Sequence, residues 1–177
     1  MIDPADDLPR ADEIRAGGLR LTPLAPTDAD ALFPVLDDER LHAFTGGRPD
    51  TAEELRARLL AWSSERSPDG RQAWLNWLVR STADGRVLGT TQATVERTSG
   101  GLVAVLAWTT ATAEQGRGVA SAAAVAMTGW LTDAGVGRMD AHIHPEHPAS
   151  AAVARHVGLA PTDERVDGET VWRRSVE

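Results

Sequence analysis

The chain of 177 residues has no cysteine, no tyrosine and no lysine. Each absence removes a class of chemistry. Without cysteine there is no disulfide, no thiolate metal site and no sulfur nucleophile to form an acyl-enzyme. Without tyrosine no phenol can serve as an acid. All 18 basic residues are arginine, so Schiff-base chemistry and the lysine-bearing phosphate loop are also excluded. Long apolar runs are missing too. Leu102 to Trp108 and the alanine-rich stretch after Val119 fall short of the roughly 20 residues of a membrane helix. Met1 to Gly18 is acidic and polar, without the basic segment and apolar core of a signal peptide. The net charge is −8, and no basic stripe offers itself to nucleic acid. An acidic surface attracts cationic ligands, weakly once salt screens it. The expectation is a cytoplasmic protein with neither nucleic acid nor a membrane as partner.

What is present argues for one domain. Apolar residues make up 42% of the chain, enough for a sizeable core at this length. Residues 1–18 read as a loose lead-in ending at Gly17-Gly18, and the single domain runs from 19 to 177. Leu19 to Leu24 alternates as a first strand. Pro26-Thr27-Asp28 starts a helix with Ala31, Leu32, Val35 and Leu36 as its apolar stripe. After the Gly46-Gly47-Arg48-Pro49 loop, Asp50 or Thr51 caps a second helix. Glu53 and Glu54 favour its N-terminal dipole, and Leu55, Leu59 and Trp62 form its apolar face.

Three strands follow, Trp74 to Arg80, Val87 to Val95 and Leu102 to Thr110, joined by Asp84-Gly85 and Gly100-Gly101 turns. Short turns make this an antiparallel meander. Val119, Ala123, Met127, Trp130 and Leu131 then recur at helical spacing, up to Gly135 or Gly137. Met139, Ala141 and Ile143 alternate as a strand. Pro148 to Val157 is a short helix with Pro148 at its first position, and a hairpin turns at Asp167-Gly168. The order is β-α-α-β-β-β-α-β-α-β-β, a mixed α/β layout with hairpins and crossovers.

The segment Gln115-Gly116-Arg117-Gly118-Val119-Ala120-Ser121 joins a strand directly to a helix. Glycines there let the backbone approach a ligand closely. The free amides of the helix's first turn, with its dipole, favour an anion. A pyrophosphate cradle and a merely tight, well-packed turn both fit the glycine spacing.

Gln115 to Ala120 resembles the Q/R-x-x-G-x-G/A signature of the Gcn-related N-acetyltransferases, the GNAT family. The element order is the GNAT order. The segment from His144 to Leu159, with Ser150 and Val153, is similar to the N-x-x-S-x-x-V-x-x-x-G-F segment of the Rim-type branch, which acetylates ribosomal-protein N-termini. The likeness spans Leu19 to about Arg173.

It implies a GNAT fold: a mostly antiparallel twisted sheet of about seven strands flanked by about four helices. It also implies acetyl-CoA as co-substrate, no metal, and a monomer or homodimer. Acetyl-CoA would lie where the third meander strand and the strand after it splay. Its pyrophosphate would sit on the amides of Gly116, Gly118, Val119 and Ala120, with Gln115, Arg117 and Ser121 beside it. Its pantetheine would pair with Trp108, Thr109 and Thr110. His147, Ser150 and Arg155 would complete that site, with Ser150 near the sulfur as the acid.

Two positions depart from the family pattern. The usual motif asparagine is His147, and the strand carboxylate proposed as base in this branch falls at Val105. The tyrosine acid of other branches falls at Ala154. Glu96 reads either as a carboxylate projecting into the cleft or as a solvated strand end. His142, His144 and His147 form an H-x-H-x-x-H cluster. They read as a strand edge plus a helix-starting residue, because Pro145 redirects the chain before the third. Trp74, Trp77 and Trp108 read as core or cleft wall, and Trp62, Trp130 and Trp172 as core. His42, Phe44 and Arg48 are acceptor-pocket candidates by location. The expected function is direct acetyl transfer to a primary amine of a small molecule or protein N-terminus, with Ser150, His147 and Glu96 as catalytic candidates. A non-catalytic acyl-CoA-binding module is the competing expectation.

Overall fold

The computed structural model describes residues 8–176, so the first seven residues of the lead-in and Glu177 lie outside the described residues. A hairpin of β1 (Ile14–Ala16) and β2 (Leu19–Pro23) leads through a 3-10 turn at Pro26–Asp28 into α1 (Ala29–Leu36) and then α2 (Ala52–Trp62). The meander of β3 (Gln72–Ser81), β4 (Val87–Thr98) and β5 (Gly101–Thr110) follows. After it come α3 (Val119–Asp133), β6 (Val136–Ile143), α4 (Pro148–His156) and the hairpin of β7 (Ala160–Val166) and β8 (Glu169–Ser175).

All eight strands share one sheet in the order β1-β2-β3-β4-β5-β6-β8-β7. Among the described residues, only β5 and β6 run parallel. Two-residue turns join β1 to β2, β4 to β5 and β7 to β8, whereas the parallel β5–β6 pair needs α3 as its crossover.

The helices sort to the two faces. Ala123, Ala124, Met127 and Leu131 of α3 pack with Leu75, Trp77 and Met139 on one face, and α4 adds Val153 and Ala154. On the other, Leu32 of α1 and Leu55 and Leu59 of α2 close over Leu78. Each fully buried large side chain contributes about 1.5–3 kcal/mol of transfer free energy. Thr51 caps α2 through a reciprocal pair with Glu54, at 3.2 and 2.8 Å. Trp62 packs on the α1/α2 cluster only partly buried, because its ring also walls the cavities beside the sheet.

The sheet has one strand more than the sequence suggests. Residues 8–16, read as a loose lead-in, pack instead. Leu8 is 5% exposed, and β1 pairs with β2 from Ile14↔Leu21 to Ala16↔Leu19. The cause lies far along the chain. The indole N–H of the fully buried Trp77 donates to the Asp12 carbonyl at 2.8 Å. A buried donor needs an acceptor, and the lead-in supplies it.

Candidate active site

The sheet comes apart where β5 and β6 diverge. Their pairing runs from Leu102↔Val136 to Leu106↔Ala141 and stops, although β5 continues to Thr110 and β6 to Ile143. The other edge of β5 stays paired with β4 as far as Gly89↔Thr110. Ala107 to Thr110 therefore present a strand edge to an open cleft. Gly89 holds this end in place. A Cβ there would overlap the Thr109 carbonyl oxygen, so only glycine admits that close approach.

The glycine loop closes one end of the cleft. Gly116 and Gly118 have φ of 74° and 80°, and space is open where a Cβ would stand on either. Gly118 is the N-cap of α3, and the first intrahelical bond runs from Ala122 N–H to Gly118 C=O at 3.0 Å. The amides of Val119, Ala120 and Ser121 precede that bond and face outward, with the helix dipole behind them. Gln115 ties the loop to the strand, its Nε2 donating to the Thr110 carbonyl at 3.2 Å. Glu114, 7% exposed, backs the loop as an ion-pair hub. It takes Arg117 at 2.9 Å and also Arg86 from the β3–β4 turn. Thr112 donates to Asp38 at 2.7 Å, tying the start of the loop to the segment between α1 and α2. Arg40 first, and then Thr112, hold the Asp38 carboxyl far below the usual carboxylate range.

His147 and Ser150 sit beyond the end of β6. His147 is the N-cap of α4, and its Nδ1 accepts from the Ser150 amide at 3.5 Å. The helix is thus capped by the imidazole and not by the Ser150 hydroxyl, which takes no hydrogen bond among the described residues. Phe44 reaches across from the α1–α2 connection and stacks on His147, with centroids 4.2 Å apart and planes at 19°. It also tilts over His144 at 5.9 Å. Burial pushes the His147 pKa below its usual 6.5, the positive potential of His144 adds to that, and Glu169 opposes it. The ring is therefore neutral at pH 7, with Nδ1 as acceptor and the proton on Nε2.

Beside the cleft, under α1 and α2, lies a cavity of about 230 Å³. Thr90, Gln92 and Thr109 form its sheet side. His42, Asp50 and Arg58 bring polar groups from the helix side. A second void of about 140 Å³ adjoins it across Trp62 and Gln92 and reaches Trp74.

Some sequence candidates stand elsewhere. Glu96 is exposed and pairs with Gln72 and Val103, six residues along β4 from Thr90. At about 3.3 Å per residue that is about 20 Å from the cleft, so its place is the solvated strand end. Val105 is 37% exposed and lies between Thr94 of β4 and Asp140 of β6 in register, and the Asp140 carboxylate is buried and engaged by Arg173 at 2.9 Å. Arg155 lies over the Trp172 ring at 5.5 Å. His142 pairs with Val171 inside the sheet, and no metal-holding group of three occurs among the described residues. Sequence patterns alone do not single out Gly89, Glu114, Asp50 or Arg58 as site residues. A glycine within an apolar strand is the one visible signal for the first of these.

A splayed parallel pair, with a glycine loop between strand and helix at its mouth, defines a domain built to hold an anionic, elongated ligand along a strand edge. Residues 18–160 match the acetyltransferase (GNAT) domain, and the chain belongs to that family of acetyl-CoA-dependent acyltransferases. Solved structures share the fold. A GNAT-family acetyltransferase from Bacillus anthracis superposes with a TM-score of 0.73 at 16% identity, covering 93% of this chain and 98% of that one. An acetyltransferase from Salmonella typhimurium that modifies the N-terminal serine of ribosomal protein L7/L12 gives 0.71 at 17% identity, over 94% and 100%. A ribosomal L7/L12 α-N-protein acetyltransferase in complex with coenzyme A gives 0.72 at 18% identity, over 93% and 98%. No curated protein matches the sequence.

Proposed function

We propose that the chain transfers the acetyl group of acetyl-CoA directly to a primary amine. The observation that carries this is the unpaired edge of β5 from Ala107 to Thr110 running into a loop of outward-facing amides. In this reading the pyrophosphate lies on the amides of Gly116, Gly118, Val119 and Ala120, and Gln115, Arg117 and Ser121 flank it. The pantetheine extends the sheet along Trp108, Thr109 and Thr110. The amine nitrogen attacks the thioester carbonyl. The C–N bond forms and the C–S bond breaks, and no enzyme-bound acyl group intervenes in a chain without cysteine. A backbone N–H near Thr109 or Thr110 holds the oxyanion. The amine's proton leaves to water or to the cavity's His42. Ser150 delivers a proton to the departing thiolate, and its hydroxyl is spared for this because His147 caps the helix.

The absence of a carboxylate at Val105 supports one other reading, a module that binds acyl-CoA without turnover. Thiol release from acetyl-CoA, measured against a panel of amines, separates the two. Amine-dependent release is expected, and tight binding with no release under any amine would overturn the transferase reading.

A further inference from the structure

The cavity beside the cleft carries chemistry that acetyl transfer alone does not require. Its occupant is bound up with the transferase reading, on which this inference rests and whose acceptor it narrows. One wall is apolar: Leu36, Leu41, Leu55 and Leu59 line it, with Leu32 behind. Leu32, Leu55 and Leu59 are each 1% exposed, so this wall is fixed by the core and cannot fold away. The sheet side is polar but uncharged, with Thr90, Gln92 and Thr109. Thr109 belongs to the strand end at which the thioester would be held, so the reacting amine enters on that side.

Arg58 is the guanidinium that lines the cavity among the described residues. It projects from the same α2 face as Leu55 and Leu59. Its Nη1 pairs with Asp50 at 2.6 Å, and its guanidinium carbon lies 5.2 Å from the centre of the Trp62 ring. Its Nε is buried with no hydrogen-bond partner among the described residues. A guanidinium has five N–H donors in a rigid fork that matches a carboxylate. The buried Nε is closed to a ligand, so the accessible part of the side chain is the outer end of the fork. Asp50 engages Nη1 there, and Nη2 makes no hydrogen bond among the described residues.

The geometry points to a free apolar α-amino acid as the acceptor. Its amine would face Thr109, its side chain would lie along the leucines, and its carboxylate would answer Arg58. Amine, apolar group and carboxylate meet on one carbon, which is what a single small cavity with three distinct walls selects. A peptide N-terminus offers a neutral amide where Arg58 calls for an anion.

The test compares leucine and phenylalanine with their α-amides and with a leucine-initiated dipeptide, following thiol release by the full-length chain. The free acids are expected to exceed the amides in kcat/KM by about tenfold or more, the usual value of a charge-assisted hydrogen bond. Because an α-amino group next to an amide is more readily deprotonated, any intrinsic bias runs against this result. Arg58→Gln is expected to lower turnover of the acids about tenfold more than that of the amides, and circular dichroism reports that the variant is folded. Equal or better use of the amides or the dipeptide by the unaltered chain overturns the proposal, as does a preference that survives Arg58→Gln. Acetyl-CoA binding, measured by calorimetry, distinguishes the failures. Binding without turnover of any amino acid sinks this acceptor alone, whereas no binding sinks the transferase reading with it.

Discussion

Phe44 and His147, 103 positions apart in the sequence, stack face to face at 4.2 Å. The contact joins the α1–α2 connection to the start of α4 and takes the imidazole out of water. It also fixes the sign of one pH effect. A histidine whose folded pKa lies below its unfolded value of 6.5 binds fewer protons folded than unfolded as pH falls through that window. Its contribution to stability is therefore constant above about pH 6.5 and is lost as pH drops toward the folded pKa. The Tm of the unaltered chain is expected to fall more steeply below pH 6.5 than that of His147→Asn. In Phe44→Ala, NMR titration is expected to show the His147 pKa rising toward 6.5. An unmoved pKa would show that Phe44 is not what buries the ring.

Two glycines at opposite ends of α3 allow strain to be separated from ligand contact. Gly118 has φ of 80° and Gly135 has φ of 86°, and neither has an atom within 4 Å of where a Cβ would stand. Alanine at either position incurs the same left-handed penalty of about 1–2 kcal/mol. Gly118→Ala and Gly135→Ala are thus expected to lower Tm alike. Only Gly118→Ala is expected to weaken coenzyme A, by about tenfold for one compromised charge-assisted bond. Equal affinities in calorimetry would mean that the loop is not the cradle.

Ser150 and His147 divide two roles that one residue could have held. With His147 as the cap, Ser150→Ala is expected to leave Tm unchanged and to lower kcat about 10²-fold, within the usual range for a general acid. KM for acetyl-CoA should hardly move, because the bond forms in the transition state. His147→Ala removes the cap and is expected to cost about 1 kcal/mol of stability and to raise KM more than it lowers kcat. Full kcat in Ser150→Ala would refute the acid role.

Much of this architecture is legible in the sequence. The meander, α3 and the loop from Gln115 to Ala120 announce themselves through periodicity and paired glycines, signals that lie within a few residues of one another. What stays hidden is what depends on distant partners. β1 has three residues with a single large apolar side chain, Ile14, too little for a period-2 pattern, and it exists because Trp77 needs the Asp12 carbonyl. The alternation along β4 identifies Glu96 as a strand residue, but alternation is blind to register. Only the pairing with Val103 puts it at the end away from the cleft. Gly89 looks like a weak point in a strand until the Thr109 carbonyl is seen lying where its Cβ would be. Asp50 and Arg58, eight residues apart and paired, look like helix-start and solvent charges because the cavity they line is made by the sheet.

The bond from Trp77 to Asp12 spans 65 positions, and this has a temporal meaning. A growing chain emits Leu8, Asp12 and Ile14 long before the strand they lean on. At about 5–20 residues per second the interval is about 3–13 s. Through that interval the early segment has no β3 edge to sit against and no indole to answer. Closing so long a loop costs entropy before any contact offsets it. Leu8, Asp12 and Ile14 are thereby among the last to find their place, and the sheet is finished at an edge made long before its neighbour.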